Sequence, residues 1–502
     1  MAPISPDIVL LNWLLLLPFF AAACAALLPL LSRRPSLARE QEALARSPFY
    51  LGAFASLMAL SLGVSLLPAA GLGGRVSADY WWTRDLHQLQ FRADAYAAGI
   101  LVAVHALGLL LHLRLLGLPD RGRAHRRAAL LLCAQGCGAA AVLAADLVAI
   151  AFFLDLMLLC LWGLCALDAR APADRLLATA YAGSVAFLGG VALIWVASGE
   201  TFQPDLALLL ISRDAGALRL MGVLALVGLL PRLAAVPGHG WVPVLEADRA
   251  GGALAPAVLL LPVGGSVLLR LLTSSFVLPA IPAVSDLALF LGVASLGWGA
   301  LRAWFARALR HVPVWLAVAQ SGYLLIALAG LAGPGGGAPE LTRAAALHLL
   351  WAPLALVVMW SAAAGLAARA GADALAGLSG LLRRAPIEAL AFLAGGLSLA
   401  GVPPLPGYQV QRLLVSGLFA SGRPALAAMV LIGSLFVALA VADAFRQAFL
   451  RREPPPALTR ASRWASAQLL VGLSALLASG LLASPALRWS EAVSRAALTI
   501  AP

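Results

Sequence analysis

The chain has 502 residues, of which 62% are hydrophobic and only 12% are charged. Soluble domains carry roughly 25% charged residues, so this composition and a mean hydropathy of +0.93 exclude a soluble enzyme or binding module. The chain is therefore expected to be a polytopic membrane protein, and its net charge of +12 is to be tested first against membrane topology.

Apolar stretches that are long enough to cross a hydrocarbon core of about 30 Å recur along most of the chain. They predict one integral all-α domain, residues 1–502, with about fourteen membrane-spanning helices. The first span lacks the basic leader and small-residue cleavage site of a signal peptide, so it is expected to be a mature helix. The predicted spans are 8–31, 48–68, 93–117, 128–144, 146–167, 176–197, 217–238, 254–275, 284–305, 313–332, 342–368, 386–418, 424–449 and 464–485.

All 35 basic residues are arginine, and the chain has no lysine. With the N-terminus outside, about 23 arginines fall in inward loops and about 10 in outward loops, which is the bias expected of a bacterial inner-membrane protein. Both termini are then expected on the outer side. The lipid bilayer is the expected surrounding, and a nucleic-acid partner is not expected, because no basic surface interleaved with aromatic residues is present.

The absence of lysine has two explanations. Arginine stays charged at any working pH, whereas a buried lysine loses its proton readily, so the chain lacks the best cationic proton carrier. A genome biased toward arginine codons would give the same composition without a functional reason.

The five cysteines all lie in apolar spans and form no C-x-x-C pair. Small apolar packing is their expected role, and no metal site is expected. The sequence also has no Walker loop, dinucleotide fingerprint or ligand set for an iron–sulfur cluster. Redox chemistry and nucleotide hydrolysis are therefore expected to take place elsewhere.

Proline interrupts two of the predicted spans. The seventh contains Pro237, and the twelfth contains Pro403, Pro404 and Pro406. Each span is expected to break near mid-membrane, because proline removes a backbone donor and clashes with the preceding turn. The breaks fall in the fourth member of two five-span units, 128–275 and 284–449, which indicates inverted repeats around a cavity lined by the broken helices.

Ionisable residues inside spans are costly and are functional candidates by default. Asp155 lies in the middle of an otherwise apolar helix, and Arg232 lies five residues before the first break. An ion pair between them would offset much of the burial cost of each charge. In the functional interpretation Asp155 accepts protons under the influence of Arg232; in the alternative the pair is a static strut.

His239 follows the first break, where it is either a proton relay or a hydrogen-bonded turn residue. Gln411 and Arg412 follow the second break, but glutamine cannot titrate and arginine will not. His105 and His348 are isolated on apolar faces, where satisfied core histidines are the commoner case. The candidate proton-path residues are therefore Asp155, Arg232, His239, Gln411 and Arg412.

The motifs occur in an order that resembles a known family. They are FRADA at 91–95, AADL at 144–147 leading into FFLDL at 152–156, RLAAVPGHGWVP at 232–243, GALRAWFARALRHVPVWLAVAQSGY at 299–323 and SLAGVPPLPG at 398–407. Over about residues 90–450 they resemble the antiporter-like membrane subunits of respiratory complex I, a group that includes subunits M, N and L and the Mrp-type cation/proton antiporters. The second break favours N type and the first span favours M type.

The chain departs from the family at most of the proton-path positions that the resemblance implies. The fifth-span glutamate is matched by Asp155 and the seventh-span lysine by Arg232. The eighth-span lysine falls on Pro262 or Val263, the tenth-span histidine on Gln320, and the twelfth-span lysine or glutamate on Gln411. The resemblance thus implies a family fold with a partly degenerate proton path.

The resemblance implies a membrane-arm subunit of a complex I-like NADH-quinone oxidoreductase that takes part in proton translocation coupled to quinone reduction. The chain is expected to have no redox site of its own, and NADH, FMN, iron–sulfur clusters and quinone are expected in partner subunits. Other membrane-arm subunits are the expected partners. The alternatives are a non-conducting structural paralogue, or a subunit of an Mrp-type antiporter, a membrane hydrogenase or an inorganic-carbon uptake complex.

Overall fold

The structure is a computed structural model that describes residues 5–32, 41–71, 76–81, 88–117, 123–202, 206, 215–242, 254–275, 282–451 and 456–498. These residues form sixteen α-helices and one antiparallel hairpin, β1 Val76–Trp81 with β2 Gln88–Ala93. The helices are α1 Pro6–Ser32, α2 Gln41–Gly71, α3 Ala95–Leu116, α4 Ala124–Leu143, α5 Leu147–Ala166, α6 Arg170–Ser198, α7 Ala215–Leu229, α8 Leu254–Arg270, α9 Pro282–Trp304, α10 His311–Gly330, α11 Ala338–Ala370, α12 Pro386–Leu399, α13 Gly407–Ala420, α14 Pro424–Phe445, α15 Arg463–Leu481 and α16 Ser484–Leu498.

The predicted fold class is confirmed. Twelve of the described helices are long and apolar enough to cross a membrane. The seventh predicted span contains α7 followed by a turn, and the twelfth is divided into α12 and α13. Both predicted breaks are therefore present, while the division into the repeats 128–275 and 284–449 stays a prediction.

Two elements were not predicted from the sequence. The β1–β2 hairpin lies in the connection between the second and third predicted spans, for which the sequence analysis named no element. The C-terminal helix α16 packs across α3 and α11: the Trp489 indole Nε1 donates to the Ala95 carbonyl at 2.6 Å, and Arg343 pairs with Glu491 at 3.1 Å.

Polar residues at span edges act as helix caps. The Asp94 side chain accepts a hydrogen bond from the Ala97 N–H at 2.8 Å and starts α3. Asp146 accepts from the N–H groups of Val148 and Ala149 at 2.8 and 3.1 Å and starts α5. These bonds satisfy N–H groups that have no partner within a helix, so the two carboxylates have a local structural role.

The core of the molecule lies around α8 and α10. The apolar window of α10 is buried along its whole length, and α8 is nearly as enclosed. The helices α1, α2, α6, α14 and α15 lie at the rim, where Phe54, Val185 and Leu435 are exposed. Apolar side chains on such a surface are expected of helices that face lipid.

Glycines allow α9 and α10 to pack closely. A Cβ atom at Gly322 would lie 2.5 Å from the Leu296 backbone nitrogen and 2.6 Å from the Gly292 carbonyl oxygen. A Cβ atom at Gly297, on the exposed side of α9, would meet nothing within 4 Å. The α9–α10 contact therefore depends on the missing side chain at Gly322.

We expect Gly322→Ala to destabilise the protein by about 1–3 kcal/mol, because overpacking forces the two helix backbones apart. The matched control Gly297→Ala should leave stability unchanged or raise it by up to about 1 kcal/mol, since alanine is the better helix former. Thermal unfolding in detergent measures both. Equal unfolding temperatures for the two variants would contradict this close packing.

Candidate functional site

The first break follows α7 and is formed by residues 230–237. Pro231 and Pro237 cannot donate a backbone hydrogen bond, Ala234 takes a positive φ of 58°, and a short 3-10 turn follows at Gly238–Trp241. The helical hydrogen-bond ladder therefore ends near Leu230.

Side chains from neighbouring segments satisfy the backbone groups freed by this break. The Val236 N–H donates to the Ser295 hydroxyl of α9 at 2.9 Å, and the Ser321 hydroxyl of α10 donates to the Leu233 carbonyl. The Trp241 indole donates to the Pro231 carbonyl at 2.7 Å. Irregular backbone at membrane depth is tolerated only when such partners are provided. The contacts of the break with α9, α10 and Trp241 therefore stabilise it within the fold.

The predicted ion pair between Asp155 and Arg232 is present. The Arg232 guanidinium, only 1% exposed, contacts Asp155 Oδ1 on α5, whose carboxylate is 19% exposed. A second guanidinium hydrogen bond runs to the Gly228 carbonyl at 3.2 Å. The break thus places a cation from the seventh span against a carboxylate from the middle of the fifth.

Ser184 on α6 completes the pair and was missed by the sequence analysis. Its hydroxyl donates to Asp155 Oδ1 at 2.5 Å and accepts from Arg232 at 2.8 Å. α6 and α7 approach closely here, as shown by Gly183: a Cβ atom at this position would lie only 2.5 Å from the Gly228 carbonyl oxygen. The three side chains, Asp155, Ser184 and Arg232, are called the charge triad below.

His239 lies away from the charge triad. Its half-buried ring packs edge-on against Trp298 and Trp315, with ring centroids 6.4 and 6.2 Å apart, and the Arg302 guanidinium lies 4.6 Å from the Trp315 centroid. Among the described residues, no hydrogen bond joins this histidine to Asp155 or Arg232. Its role in a proton path stays a prediction.

The second break, residues 400–406, joins α12 to α13 and opens onto a small cavity. Gln320 of α10, His348 of α11 and Gln411 of α13 line it, and it has room for about one water molecule. The Gln411 side-chain oxygen is buried and makes no hydrogen bond to the described residues. Pro403 and Pro404 are exposed and Pro406 is buried, all in the connecting turn.

His348 belongs to this cavity, although its sequence surroundings indicated only a core histidine. Its Nε2 lies 2.9 Å from the Gln320 carbonyl oxygen. Because a carbonyl only accepts, Nε2 carries the hydrogen, and in the neutral ring Nδ1 is an acceptor. No sequence signal identified this residue, because its polar neighbours come from α10 and α13.

Arg412 is next to Gln411 in the chain but is exposed, and its Nε donates to Gln409 at 3.1 Å. Of the five candidate residues, the structure brings Asp155 and Arg232 together and places Gln411 in a separate cavity. His239 and Arg412 lie outside both sites.

The chain is similar to known proteins in sequence and in fold. A family model described as "NADH:quinone oxidoreductase/Mrp antiporter, TM" matches residues 144–437, more than half of the chain. NADH-quinone oxidoreductase subunit N of Desulforudis audaxviator is 27% identical over 375 residues, 72% of this chain and 73% of that protein. NAD(P)H-quinone oxidoreductase subunit 2 of Synechococcus elongatus is 28% identical over 234 residues, 45% of this chain and 43% of that protein.

Two solved structures share the fold over almost the full length. A chain of the Mrp complex from Dietzia sp. is 20% identical and gives a TM-score of 0.86, covering 99% of this chain and 98% of that one. A chain of respiratory complex I from Thermus thermophilus with bound NADH is 19% identical and gives a TM-score of 0.81, covering 98% and 100%. The fold is therefore shared over nearly the whole length of each pair of chains.

The charge triad predicts a strong energetic coupling. Arg232→Gln should destabilise the protein by about 3–5 kcal/mol, because it leaves the Asp155 carboxylate without its counter-ion. Asp155→Asn combined with Arg232→Gln should recover much of that loss. A double-mutant cycle of unfolding in detergent measures the coupling, and additive effects of the two substitutions would show that the pair contributes no mutual stabilisation.

Proposed function

Since the chain belongs to the transmembrane family described as NADH:quinone oxidoreductase/Mrp antiporter, we propose that it is a membrane-arm subunit of a complex I-like NADH-quinone oxidoreductase. In this role it takes part in proton translocation coupled to quinone reduction. The relatives named subunit N support the assignment and favour N type over M type.

The observation that carries the proposal is the charge triad beside the first break. A static structural role would be served as well by apolar packing, since replacing a buried ion pair by well-packed hydrophobic residues is often neutral or stabilising. A carboxylate inside a membrane segment is also a functional candidate by default. Asp155 contacts Arg232 in the broken helix, and this placement favours a carboxylate that gains and loses a proton during turnover.

The chemistry of arginine decides which member of the triad carries the proton. A guanidinium does not give up its proton in proteins, so Arg232 acts as a fixed positive charge. Asp155 alternates between an ionised form, paired with Arg232 and hydrogen-bonded by Ser184, and a protonated form in which that pairing is weakened. Movement of the Arg232 guanidinium away from Asp155 would therefore favour proton uptake by the carboxylate.

His348 is the proposed carrier at the second break. Of the side chains that line this cavity in the described part of the chain, it is the titratable one, because Gln320 and Gln411 carry amides. The path therefore has fewer protonatable stations than the family pattern implies, and we describe it as partly degenerate.

The proposed partners are other membrane-arm subunits and the lipid bilayer. The two structural neighbours are parts of multi-subunit assemblies, which supports this role. NADH, FMN, iron–sulfur clusters and quinone are assigned to partner subunits, because this sequence has no motif for them. The arginine distribution supports a bacterial inner membrane with both termini on the outer side.

Asp155→Asn in the assembled complex is expected to lower the number of protons translocated per electron pair, because the amide keeps the shape of the side chain but cannot carry a proton. Arg232→Lys should retain translocation, because lysine keeps the positive charge. Proton uptake by vesicles during quinone reduction measures both.

Asp443→Asn is the matched control, because this carboxylate lies near the end of α14 in an exposed pair with Arg446 at 2.7 Å. An unchanged proton stoichiometry in Asp155→Asn, with normal assembly, would identify the chain as a structural spacer in the complex.

A further inference from the structure

The small cavity at the second break is lined by polar groups that suit one kind of ligand. It lies between α10, α11, α12 and α13 and has room for about one water molecule. Three of its lining side chains, His348, Ser398 and Gln411, keep hydrogen-bonding capacity that the described residues do not use. None of the described residues that line the cavity is acidic, so an uncharged ligand fits it better than a metal cation.

The orientation of the Gln411 amide follows from a chain of hydrogen bonds that begins on α14. The Ser434 hydroxyl donates to the Val430 carbonyl at 2.9 Å, and its oxygen lies 2.9 Å from the Tyr323 hydroxyl oxygen. Because the hydrogen of Ser434 is already used, Tyr323 is the donor in the second bond. The Tyr323 oxygen can then only accept from the Gln411 amide, which lies within its reach. Gln411 Nε2 therefore faces Tyr323, and Oε1 points away from it.

The Gln411 side-chain oxygen is a buried acceptor that needs a donor. Oε1 is enclosed and has no hydrogen-bond partner among the described residues. Gly401, in the break, makes room for this side chain: its φ is +79°, and a Cβ atom there would lie 2.2 Å from Gln411 Cγ. A buried acceptor without a partner is costly, so a donor in the cavity would stabilise the protein at this point.

His348 and Ser398 complement Gln411 on the other sides of the cavity. Since His348 Nε2 donates to the Gln320 carbonyl at 2.9 Å, Nδ1 of the neutral ring is an acceptor, and it has no partner among the described residues. The Ser398 oxygen accepts from the Gly407 N–H at 3.3 Å, while its hydroxyl hydrogen has no acceptor in the described part of the chain. The lining thus offers two acceptors and one donor, which matches the about three hydrogen bonds of a typical buried water.

We propose that this cavity binds one ordered water molecule. The water donates to Gln411 Oε1 and to His348 Nδ1, and it accepts from the Ser398 hydroxyl. Tyr323 is a positioning residue, because its contact with Nε2 aims the Gln411 oxygen at the water. Since water also accepts hydrogen bonds, the same molecule can turn when Nδ1 carries a proton, and His348 keeps a partner in both protonation states.

The proposal gives the uncharged residue at the second break a function. The resemblance implies a lysine or glutamate at the position of Gln411, and glutamine cannot titrate. An amide held by Tyr323 nevertheless binds and orients water beside the titratable ring of His348. The second break therefore retains a hydrated site without a charge of its own.

The part that this water plays in translocation rests on the proposed function, because His348 is the proposed carrier at this break. The binding of the water does not rest on it, since the cavity and its hydrogen bonds are those of the protein without turnover. The test therefore measures the contact of water with His348 in the resting protein. Proton stoichiometry in Asp155→Asn is a separate measurement, and either proposal can fail alone.

The test uses the full chain in lipid bilayers, with its histidine rings labelled with nitrogen-15. Solid-state NMR follows the transfer of magnetisation from water protons to each ring nitrogen, and the signals of His348 are identified by their loss in His348→Asn. The unsubstituted protein should show transfer to Nδ1 of His348 and a ring proton on Nε2. Gln411→Leu should remove most of this transfer, because it deletes the buried acceptor. Gln411→Glu should retain it, because a carboxyl group still accepts from water.

Gln409→Leu is the matched control, since it makes the same substitution two residues away, outside the cavity, where Gln409 accepts from Arg412. It should leave the transfer unchanged. Tyr323→Phe keeps the ring but frees the Gln411 amide to turn, so the transfer should weaken. This variant tests the proposal separately if Gln411→Leu fails to fold.

Three outcomes would overturn the proposal. The first is an absence of transfer to His348 Nδ1 in the unsubstituted protein. The second is a transfer that is unchanged in both Gln411→Leu and Tyr323→Phe. The third is a transfer that disappears when sodium chloride replaces choline chloride at constant ionic strength, because the occupant would then be a cation rather than water.

Discussion

The ion pair between Asp155 and Arg232 is the interaction on which the rest of this site depends. Two charges in the apolar interior are costly unless each has a partner and further hydrogen bonds. The Pro231–Pro237 break brings the arginine to the carboxylate, the close approach at Gly183 brings the Ser184 hydroxyl, and α5 supplies the carboxylate in mid-helix. These three local features together bring the two charges into contact and supply a further hydrogen bond to them.

Helix α10 links the two breaks. Its residue Ser321 donates to the Leu233 carbonyl in the first break, while the carbonyl of the preceding residue, Gln320, bonds to His348 in the second cavity. α10 is enclosed along its length, so it can move only together with its neighbours. Two consecutive residues of this buried helix therefore contact both breaks.

The sequence was sufficient for the spans, the breaks and the ion pair. Long apolar runs and internal prolines have few structural interpretations, and two charges isolated in such runs require partners, so Asp155 and Arg232 could be paired by elimination. Ser184 could not be found in this way, because a serine inside a helix can bond its own preceding turn, as this one does with the Ala180 carbonyl at 3.2 Å. His348 looked isolated because its polar neighbours lie on other helices.

The hairpin and α16 were missed for a different reason. Their polar composition resembles that of loops, and their stability comes from packing onto the ends of the membrane helices, as the Trp489 bond to Ala95 shows. Contacts of this kind are set by the tertiary arrangement and leave little local signal.

The missing lysines can now be interpreted position by position. Arg232 keeps the positive charge of the family's seventh-span lysine and pairs with Asp155. Codon preference alone could account for this change from lysine to arginine. The eighth-span lysine falls on Pro262 or Val263; of these, Val263 is wholly buried, and a Cβ atom at Gly138 would lie 3.1 Å from its Cγ2. This packing leaves little room for a long cationic side chain, and a codon bias from lysine to arginine does not produce valine. The loss of charge there therefore accompanies close packing between α4 and α8.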